Sequence, residues 1–410
     1  MSPHNRSPVY RGTRVSRSRH AILNLLIGLI SVAVSDCAGP PVLEQQVVAY
    51  DEVTKTLDEK LLLLNIARVA DLETVHFTST SSIAATFDWT ANLSGGAQIE
   101  KPHGPNIFNF NIGGSASENP TFSLSPLSGE EFSKRIATPF QDNIFESLVS
   151  QGGRINQVMR LMASGIEVQK PDGAFLRFIE NDPRRPNEYE EFRRIAAQLQ
   201  RLNDNRQLFV RSLVFEETLV ADYNSPLRPE DINNGFNMGL RWRQKSNGHY
   251  KLTRLKGGRV VVTNFDPMAL TDQQRFELDE KIEKNPSGFV YLDIEPGRPG
   301  GNLPLRGAIK LRSMFQILNF IARGIYAAPE FAASPNPSAE ALEAEPDATL
   351  KINIIDSPGD RTLPTAYYKG HYYSLNDTLW DRNTFLLLEL LFQISVGQIK
   401  SVGIPITIAK

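Results

Sequence analysis

The chain contains a single cysteine, Cys37, and only six histidines among its 410 residues. One cysteine cannot form an internal disulfide, so a hydrophobic core must stabilise the folded chain. The histidines form none of the His-x-x-x-His or His-Glu patterns that mark zinc sites, and a metal would need ligands from remote segments. We therefore expect neither a disulfide scaffold nor a bound cofactor.

Three further absences concern function. The double glycines at positions 95, 113, 257 and 300 lack the Lys-Ser/Thr that a phosphate-binding loop requires, and no Gly-x-Ser-x-Gly elbow occurs. The formal net charge of -2 gives no electrostatic attraction to nucleic acid. With 41% hydrophobic residues the chain has enough apolar material for a globular body.

The N-terminus has the three-part plan of a secretory signal peptide. Arginines at positions 11, 14, 17 and 19 precede an uncharged, largely apolar run over residues 21–34, which ends before Asp36. A membrane-spanning helix needs about 20 apolar residues, so this run is short for a permanent span. We expect residues 1–36 to be removed.

The stretch Val34-Ser35-Asp36-Cys37 resembles a bacterial lipobox, which implies lipid on Cys37. Val34 and Ser35 fit that pattern; Asp36 departs from it, since the family places Gly, Ala or Ser there. The resemblance and Ala38 imply anchoring to the outer membrane, facing the periplasm. Two alternatives remain: cleavage after Ser35 would give a soluble periplasmic protein, and an uncleaved apolar run would give an inner-membrane anchor.

Strands and helices mixed along the chain predict an α+β fold, with a mixed sheet or sheets and packed helices. We expect a lipid tether over residues 37–46, a body over 47–326 and a flexible Ala/Pro/Glu-rich loop over 327–349. Residues 350–410 then form a hairpin, a helix and a strand. Because about 60 residues rarely fold alone without staples, we expect this C-terminal unit to pack on the body.

Local signals predict individual elements. Capping boxes are expected at Ser128/Glu131 and at Thr271/Gln274, and a helix start at Thr138–Pro139. A hairpin is expected to turn at Lys369–Gly370. The other elements expected are helices over residues 47–70 and 154–168, and strands over 74–78, 82–90 (with a turn at Gly95–Gly96), 106–112, 121–125, 239–244, 249–255 and 259–265, with a loop over 113–120.

Two carboxylates form the best acidic pair. Asp293 and Glu295 alternate along a predicted strand and so share one face, where they could perturb each other's protonation or hold a cation or sugar. A hydrolase or metal-dependent enzyme would use this pair. The alternative interpretation is structural: Val290, Leu292 and Ile294 face the core, while Tyr291, Asp293 and Glu295 face water.

A second candidate is an aromatic run on the predicted hairpin. Tyrosines on both strands could form a stacking surface for sugar or peptide, or could simply hold the hairpin together. The candidate binding residues are Tyr367, Tyr368, His371, Tyr372 and Tyr373.

Several segments together resemble a group of uncharacterised bacterial envelope proteins. These are residues 61–68, residues 120–135 with Thr138–Pro139, and residues 311–318, 367–373 and 374–393. The resemblance implies a common fold and an envelope address, and it implies no activity for any single residue. We therefore favour a non-catalytic scaffold or binding component over an enzyme. The expected partners are the membrane, through Cys37, and an envelope protein; the oligomeric state is left open.

Overall fold

The structure is a computed structural model. It describes residues 39–97, 108–301, 304–326, 346–359, 362–396 and 406–409, with the backbone alone for 39–46, 79–97, 108–125 and 406–409. Cys37 and the expected signal peptide lie outside the described residues. The chain divides into two units, Met1–Asp58 and Glu59–Lys410. The described part of the first unit is helical: α1 (Gly39–Ala70) begins there and ends in the second. The predicted tether is therefore helical from Gly39 onward.

Helices and strands alternate irregularly through the second unit. After α1 its described helices are α2 (Glu130–Ala137), α3 (Asp142–Ser150), α4 (Ile155–Met162), α5 (Pro186–Asp204), α6 (Pro229–Asn237), α7 (Asp272–Ile282), α8 (Met314–Tyr326) and α9 (Leu379–Val396). Its described strands are β1 (Phe77–Ala97), β2 (Phe108–Leu127), β3 (Ala163–Gln169), β4 (Phe175–Glu180), β5 (Phe209–Tyr223), β6 (Leu240–Gln244), β7 (Tyr250–Thr263), β8 (Phe289–Ile294), β9 (Leu305–Leu311), β10 (Ile352–Ile355), β11 (Thr365–Tyr368), β12 (His371–Leu375) and β13 (Ile406–Ala409).

A seven-stranded mixed sheet is the centre of the second unit. Its strand order is β4-β3-β9-β8-β7-β5, and β6 pairs with β7. β7 and β8 run parallel, whereas the other neighbours are antiparallel. This mixed, open sheet with packed helices confirms the predicted α+β fold.

Both faces of that sheet are covered by apolar residues. Val260 and Val262 face the main core, whereas Val261 faces a smaller cluster that includes Tyr291 and Ile282 of α7. Consecutive valines can all be buried because neighbouring strand residues point to opposite faces. Helices therefore pack on both faces of the sheet.

The C-terminal elements belong to the same main core. β10, β12 and β11 form a three-stranded sheet in that order. Phe385, Leu388 and Leu391 of α9 are buried in the cluster that also holds the residues of α4, and α9 lies against α2, α4 and α8. Residues 350–396 thus share their hydrophobic core with the preceding body.

The carboxy-terminal end of α4 is held by buried side chains. The Arg312 guanidinium donates to the carbonyl oxygens of Arg160 and Leu161, both at 3.0 Å. The Asn181 amide donates to the carbonyls of Arg160 and Ala163, at 2.9 and 2.7 Å. Cationic and amide donors satisfy the carbonyls that a helix end leaves free. The helix predicted over residues 154–168 therefore stops at Met162, where β3 begins.

Arg160 connects the same helix to the C-terminal elements. Its side chain is fully buried, and its two terminal nitrogens donate to the carbonyls of Pro346 and Asp347, at 2.8 and 2.7 Å. The guanidinium also lies over the Trp380 ring, 5.2 Å from the centroid. Arg193 of α5 adds a 3.2 Å bond to the Pro346 carbonyl. Two arginines thus fix the chain immediately before β10.

β1 and β2 form one long antiparallel hairpin. Its register runs from Phe77 opposite Leu127 to Ala97 opposite Phe108, with one irregularity between Thr80 and Ser82. β13 pairs with β2 at Thr121–Leu124. The predicted loop over residues 113–120 and the predicted turn at Gly95–Gly96 are therefore wrong. Their Ser, Asn and Gly composition is typical of loops, but cross-strand pairing prevails here.

Of the other local predictions, some are confirmed and some are wrong. The Thr271/Gln274 capping box and the hairpin turn at Lys369–Gly370 (φ 46° and 90°) are confirmed. The box at Ser128/Glu131 is wrong, because Gly129, with φ 96°, precedes the first turn of α2. The helix expected after Thr138–Pro139 begins at Asp142 instead. The strands predicted at 249–255 and 259–265 are one strand, β7.

We predict that Arg160→Met lowers the free energy of unfolding by about 1–3 kcal/mol, the cost of one unsatisfied polar group, because the Asp347 carbonyl loses its donor while the Pro346 carbonyl keeps the longer bond to Arg193. Urea titration followed by tryptophan fluorescence measures this change. Arg193→Met is the matched control and should cost less than half as much, since Arg193 makes the longer bond to Pro346. Equal midpoints for Arg160→Met and the parent would contradict the role assigned to Arg160.

Candidate functional site

An open cavity of about 600 Å³ lies where the C-terminal elements meet the body. It is bounded by the last turns of α8, by residues 346–354, which lead into β10, and by the first turn of α9. Its apolar lining includes Phe320, Ile321, Leu350 and Ile352, each of which is buried. The cavity therefore offers an apolar interior of the size that binds ligands.

Polar side chains line one side of this cavity. Asn353 and Asn376 are linked by a 3.2 Å bond from the Asn353 amide nitrogen to the Asn376 side-chain oxygen. Asn376 and Thr378 belong to the loop between β12 and α9. Asn376 and Thr378 also donate to Asp381, so these polar side chains form one connected network along the cavity wall.

Of the two carboxylates in the lining, Asp347 and Asp381, the second has a structural role. It is buried and accepts three bonds, from the backbone nitrogen of Lys351 at 2.8 Å, from the Asn376 amide at 2.7 Å and from the Thr378 hydroxyl at 2.6 Å. In return Thr378 accepts from the Asp381 backbone nitrogen. These bonds stabilise the start of α9, so the oxygens of Asp381 are already engaged and are poorly suited to acid–base chemistry.

β10 is an edge strand beside the cavity. It lies at one end of the sheet order β10-β12-β11, and Lys351, Asn353 and Ile354 line the cavity. In the described part of the chain no strand pairs with the outer edge of β10. An extended peptide can add to such an edge through main-chain hydrogen bonds while its side chains enter a neighbouring pocket.

Asp293 lies in a different region, on β8, and Glu295 follows directly after the end of that strand. Asp293 is only 6% exposed and lies 3.1 Å from Arg306, whereas Glu295 pairs with Arg298 at 2.7 Å. The expectation that Tyr291 and Asp293 face water is therefore wrong, because both side chains are buried and Arg306 of the neighbouring strand β9 lies against Asp293. Burial raises the pKa of the Asp293 carboxyl, which Arg306 opposes.

The described residues contain no candidate metal site. Among them, no group of three or more His, Cys, Asp or Glu side chains is placed to hold a metal ion. The Asp293 carboxylate is instead bound by a guanidinium and by the hydroxyl of Tyr291, at 3.4 Å. Its arrangement is that of a partly buried ion pair, with the Arg306 side chain 38% exposed.

The tyrosine run is divided between the two faces of its hairpin. Tyr367 and Tyr372 pair across the strands, with ring centroids 4.9 Å apart. Tyr373 is buried and its hydroxyl lies 3.1 Å from that of Tyr326. His371 lies beside Asp356, at 3.9 Å. Tyr368 lies against Tyr373 at 6.2 Å, so the run does not form one continuous stacking surface.

A charged cluster joins this hairpin to the turn after α1. The Lys369 ammonium lies 3.0 Å from Asp71 and 2.8 Å from Glu73, and it lowers the pKa of both carboxyls. Tyr326 donates to Asp71 at 3.0 Å. Sequence reasoning missed this cluster because its members are far apart along the chain. It also missed the cavity, for which the Thr378-x-x-Asp381 capping pattern was the one local signal.

Comparison with protein-family models, curated proteins and solved structures finds no match to this chain. Within the described ranges, no helix is both long enough and apolar enough to cross a membrane.

Proposed function

We propose that this chain is a bacterial envelope lipoprotein, anchored through lipid on Cys37, that binds an extended segment of an envelope protein and catalyses no reaction. The observation that carries the binding role is the outer edge of β10, which no described strand pairs with, beside an apolar cavity of about 600 Å³. Three features of the sequence support the proposed envelope location. They are the signal-like N-terminus, the resemblance of residues 34–37 to a lipobox, and the resemblance to envelope proteins.

The chemistry of the cavity supports binding. Of its two carboxylates, Asp381 is engaged by three hydrogen bonds, and Asp347 is exposed to water and lies 3.9 Å from Arg193. Asn353, Asn376 and Thr378 carry no charge for acid–base work. Since Asn376 and Thr378 bond Asp381, and Asn353 bonds Asn376, they hold the cavity wall and leave recognition mainly to the backbone of β10. An enzyme using Asp293 and Glu295 is the alternative. It would need both carboxylates free, whereas each is paired with an arginine.

The geometry also favours an extended ligand. Main-chain groups on the outer edge of β10 would pair with the ligand backbone, and alternate ligand side chains would enter the cavity. Ile354 is 39% exposed on this strand, so a bound segment would cover it. Lipid on Cys37 would keep the site at the membrane surface, and diacylation would make that attachment stable.

The proposed lipid anchor predicts how the Cys37→Ala variant behaves. We expect the parent to be processed and recovered in the outer-membrane fraction, and Cys37→Ala to leave that fraction because it has no thiol to acylate. Fractionation of cells and the mass of the N-terminal peptide measure both properties. Ser35→Ala, which keeps a small residue before the cleavage site, is the matched control and should behave like the parent. A Cys37→Ala chain that stays membrane-bound and unprocessed like the parent would refute the lipoprotein assignment.

The binding site predicts a difference between the two edges of one small sheet. A photoreactive residue at position 354 on β10 should form an adduct with a protein partner in intact cells. The same residue at position 367 on β11, where Tyr367 is 61% exposed, is the matched control and should give at least a fivefold lower yield. Asn353→Ala should reduce the adduct at 354, because it removes an amide that lines the cavity and links β10 to Asn376.

The proposed binding role fails if the two positions crosslink equally, or if position 354 gives no adduct. Anchoring is tested separately by Cys37→Ala, so the two parts of the proposal can fail independently.

A further inference from the structure

The outer edge of β10 presents the main-chain groups of two residues. In the pairing of β10 with β12, the backbone nitrogen of Asn376 donates to the carbonyl oxygen of Lys351 at 3.1 Å. Main-chain groups alternate in direction along an antiparallel strand, so those of Lys351 and of every second residue after it face β12. The N–H and C=O groups of Ile352 and Ile354 therefore point to the outer edge. Within the described residues, no strand pairs with them there.

The cavity reaches both faces of this edge. Ile352, Asn353 and Ile354 all line it, and neighbouring side chains on a strand point to opposite faces. The two isoleucines form an apolar wall on one face, where Ile354 is 39% exposed. On the other face Asn353 is joined to Asn376 by a 3.2 Å bond, which gives a polar wall. The strand edge thus separates an apolar side of the cavity from a polar side.

The helix α8 extends the apolar wall. Phe320, Ile321 and Gly324 of this helix all line the cavity, and residues three and four apart lie on the same face of a helix. α8 also packs against β10. The wall is interrupted at Gly324, because glycine has no side chain to continue it.

The fold of the described residues does not require a glycine at position 324. The φ of Gly324 lies outside the left-handed region, and a Cβ added there would meet no atom of another element within 4 Å. Glycine is disfavoured inside helices relative to alanine, so the sequence keeps an unfavourable residue where packing does not need it. The missing side chain leaves open space in the cavity, beside Phe320 and Ile321. A side chain of a ligand can occupy that space.

A strand bound to this edge would meet the two walls in a fixed order. Residues directly opposite each other on neighbouring strands share a face, so ligand residues opposite Ile352 and Ile354 would direct their side chains to the apolar wall. The ligand residue between them would face Asn353. An apolar side chain there would remove amide groups from water without replacing their hydrogen bonds, and a polar side chain against the isoleucines would lose its own. Only an alternating segment suits both walls.

We propose that the site beside β10 selects extended segments in which apolar and polar side chains alternate, and that Gly324 admits the apolar ones. The partner then supplies a segment of the kind that forms a strand with one apolar and one polar face. This inference rests on the proposed binding role of the cavity, and it adds which segments bind and which residue discriminates between them. It does not depend on lipid at Cys37.

Two fluorescently labelled peptides of the same composition test this proposal on the purified full-length chain. In one peptide valines and threonines alternate, and in the other the valines form a single block. Fluorescence anisotropy should show that the alternating peptide binds at least tenfold more tightly. Gly324→Leu should weaken binding of the alternating peptide at least tenfold, because the new side chain fills the space that a ligand side chain would use. The matched control Arg323→Leu places the same side chain at an exposed position outside the cavity lining and should change binding less than twofold.

Other outcomes overturn the inference. Equal affinities for the two peptides, or no binding of either, would show that the site does not select alternation; the proposed binding role would still stand if the adduct at position 354 forms in cells, and would fail as well if it does not. An alternating peptide that binds Gly324→Leu as tightly as the parent would remove the role of Gly324. A lipid adduct at position 354 would assign the cavity to acyl chains. Urea midpoints for the two leucine variants, compared with the parent, identify any loss that comes from unfolding.

Discussion

Two buried arginines donate hydrogen bonds to backbone carbonyls, and the rest of the second unit depends on these bonds. Arg312 binds the last carbonyls of α4, and burial lowers the pKa of its guanidinium to about 9. Arg160, on that helix, binds Pro346 and Asp347. Buried cations are costly unless hydrogen bonds compensate them. Here the compensation comes from carbonyls, which couples the side chains to the path of the chain.

These bonds between arginine side chains and the backbone determine where the candidate site lies. Because Arg160 and Arg193 hold residues 346–347, β10 begins beside α8, and the cavity forms between them. Trp380, over which Arg160 lies, is in the first turn of α9 and also lines the cavity. The cavity walls and the open edge of β10 are therefore set by the same contacts that attach the C-terminal elements to the body.

The sequence predicted those features that interactions between near neighbours in the chain determine. The Thr271/Gln274 box and the Lys369–Gly370 turn depend on near neighbours in the chain and were read correctly. The end of α4 was predicted wrongly, because Arg312, whose side chain binds the last carbonyls of this helix, lies 151 residues from Leu161 along the chain. Asp293 was expected in water because nothing in its own strand indicates that Arg306, 13 residues further along the chain, lies against it. The α+β class was predictable, whereas the cavity, formed by three remote segments, was not.

The most direct test of this account is the state of the C-terminal elements after the chain is cut. A specific protease site inserted within residues 327–345 allows the purified full-length chain to be cleaved without denaturant, and size-exclusion chromatography then reports whether the fragments stay together. The account predicts that they elute as one species and separate only in denaturant, because Phe385, Leu388 and Leu391 lie in the shared core. A C-terminal fragment that elutes alone as a soluble folded piece would contradict it.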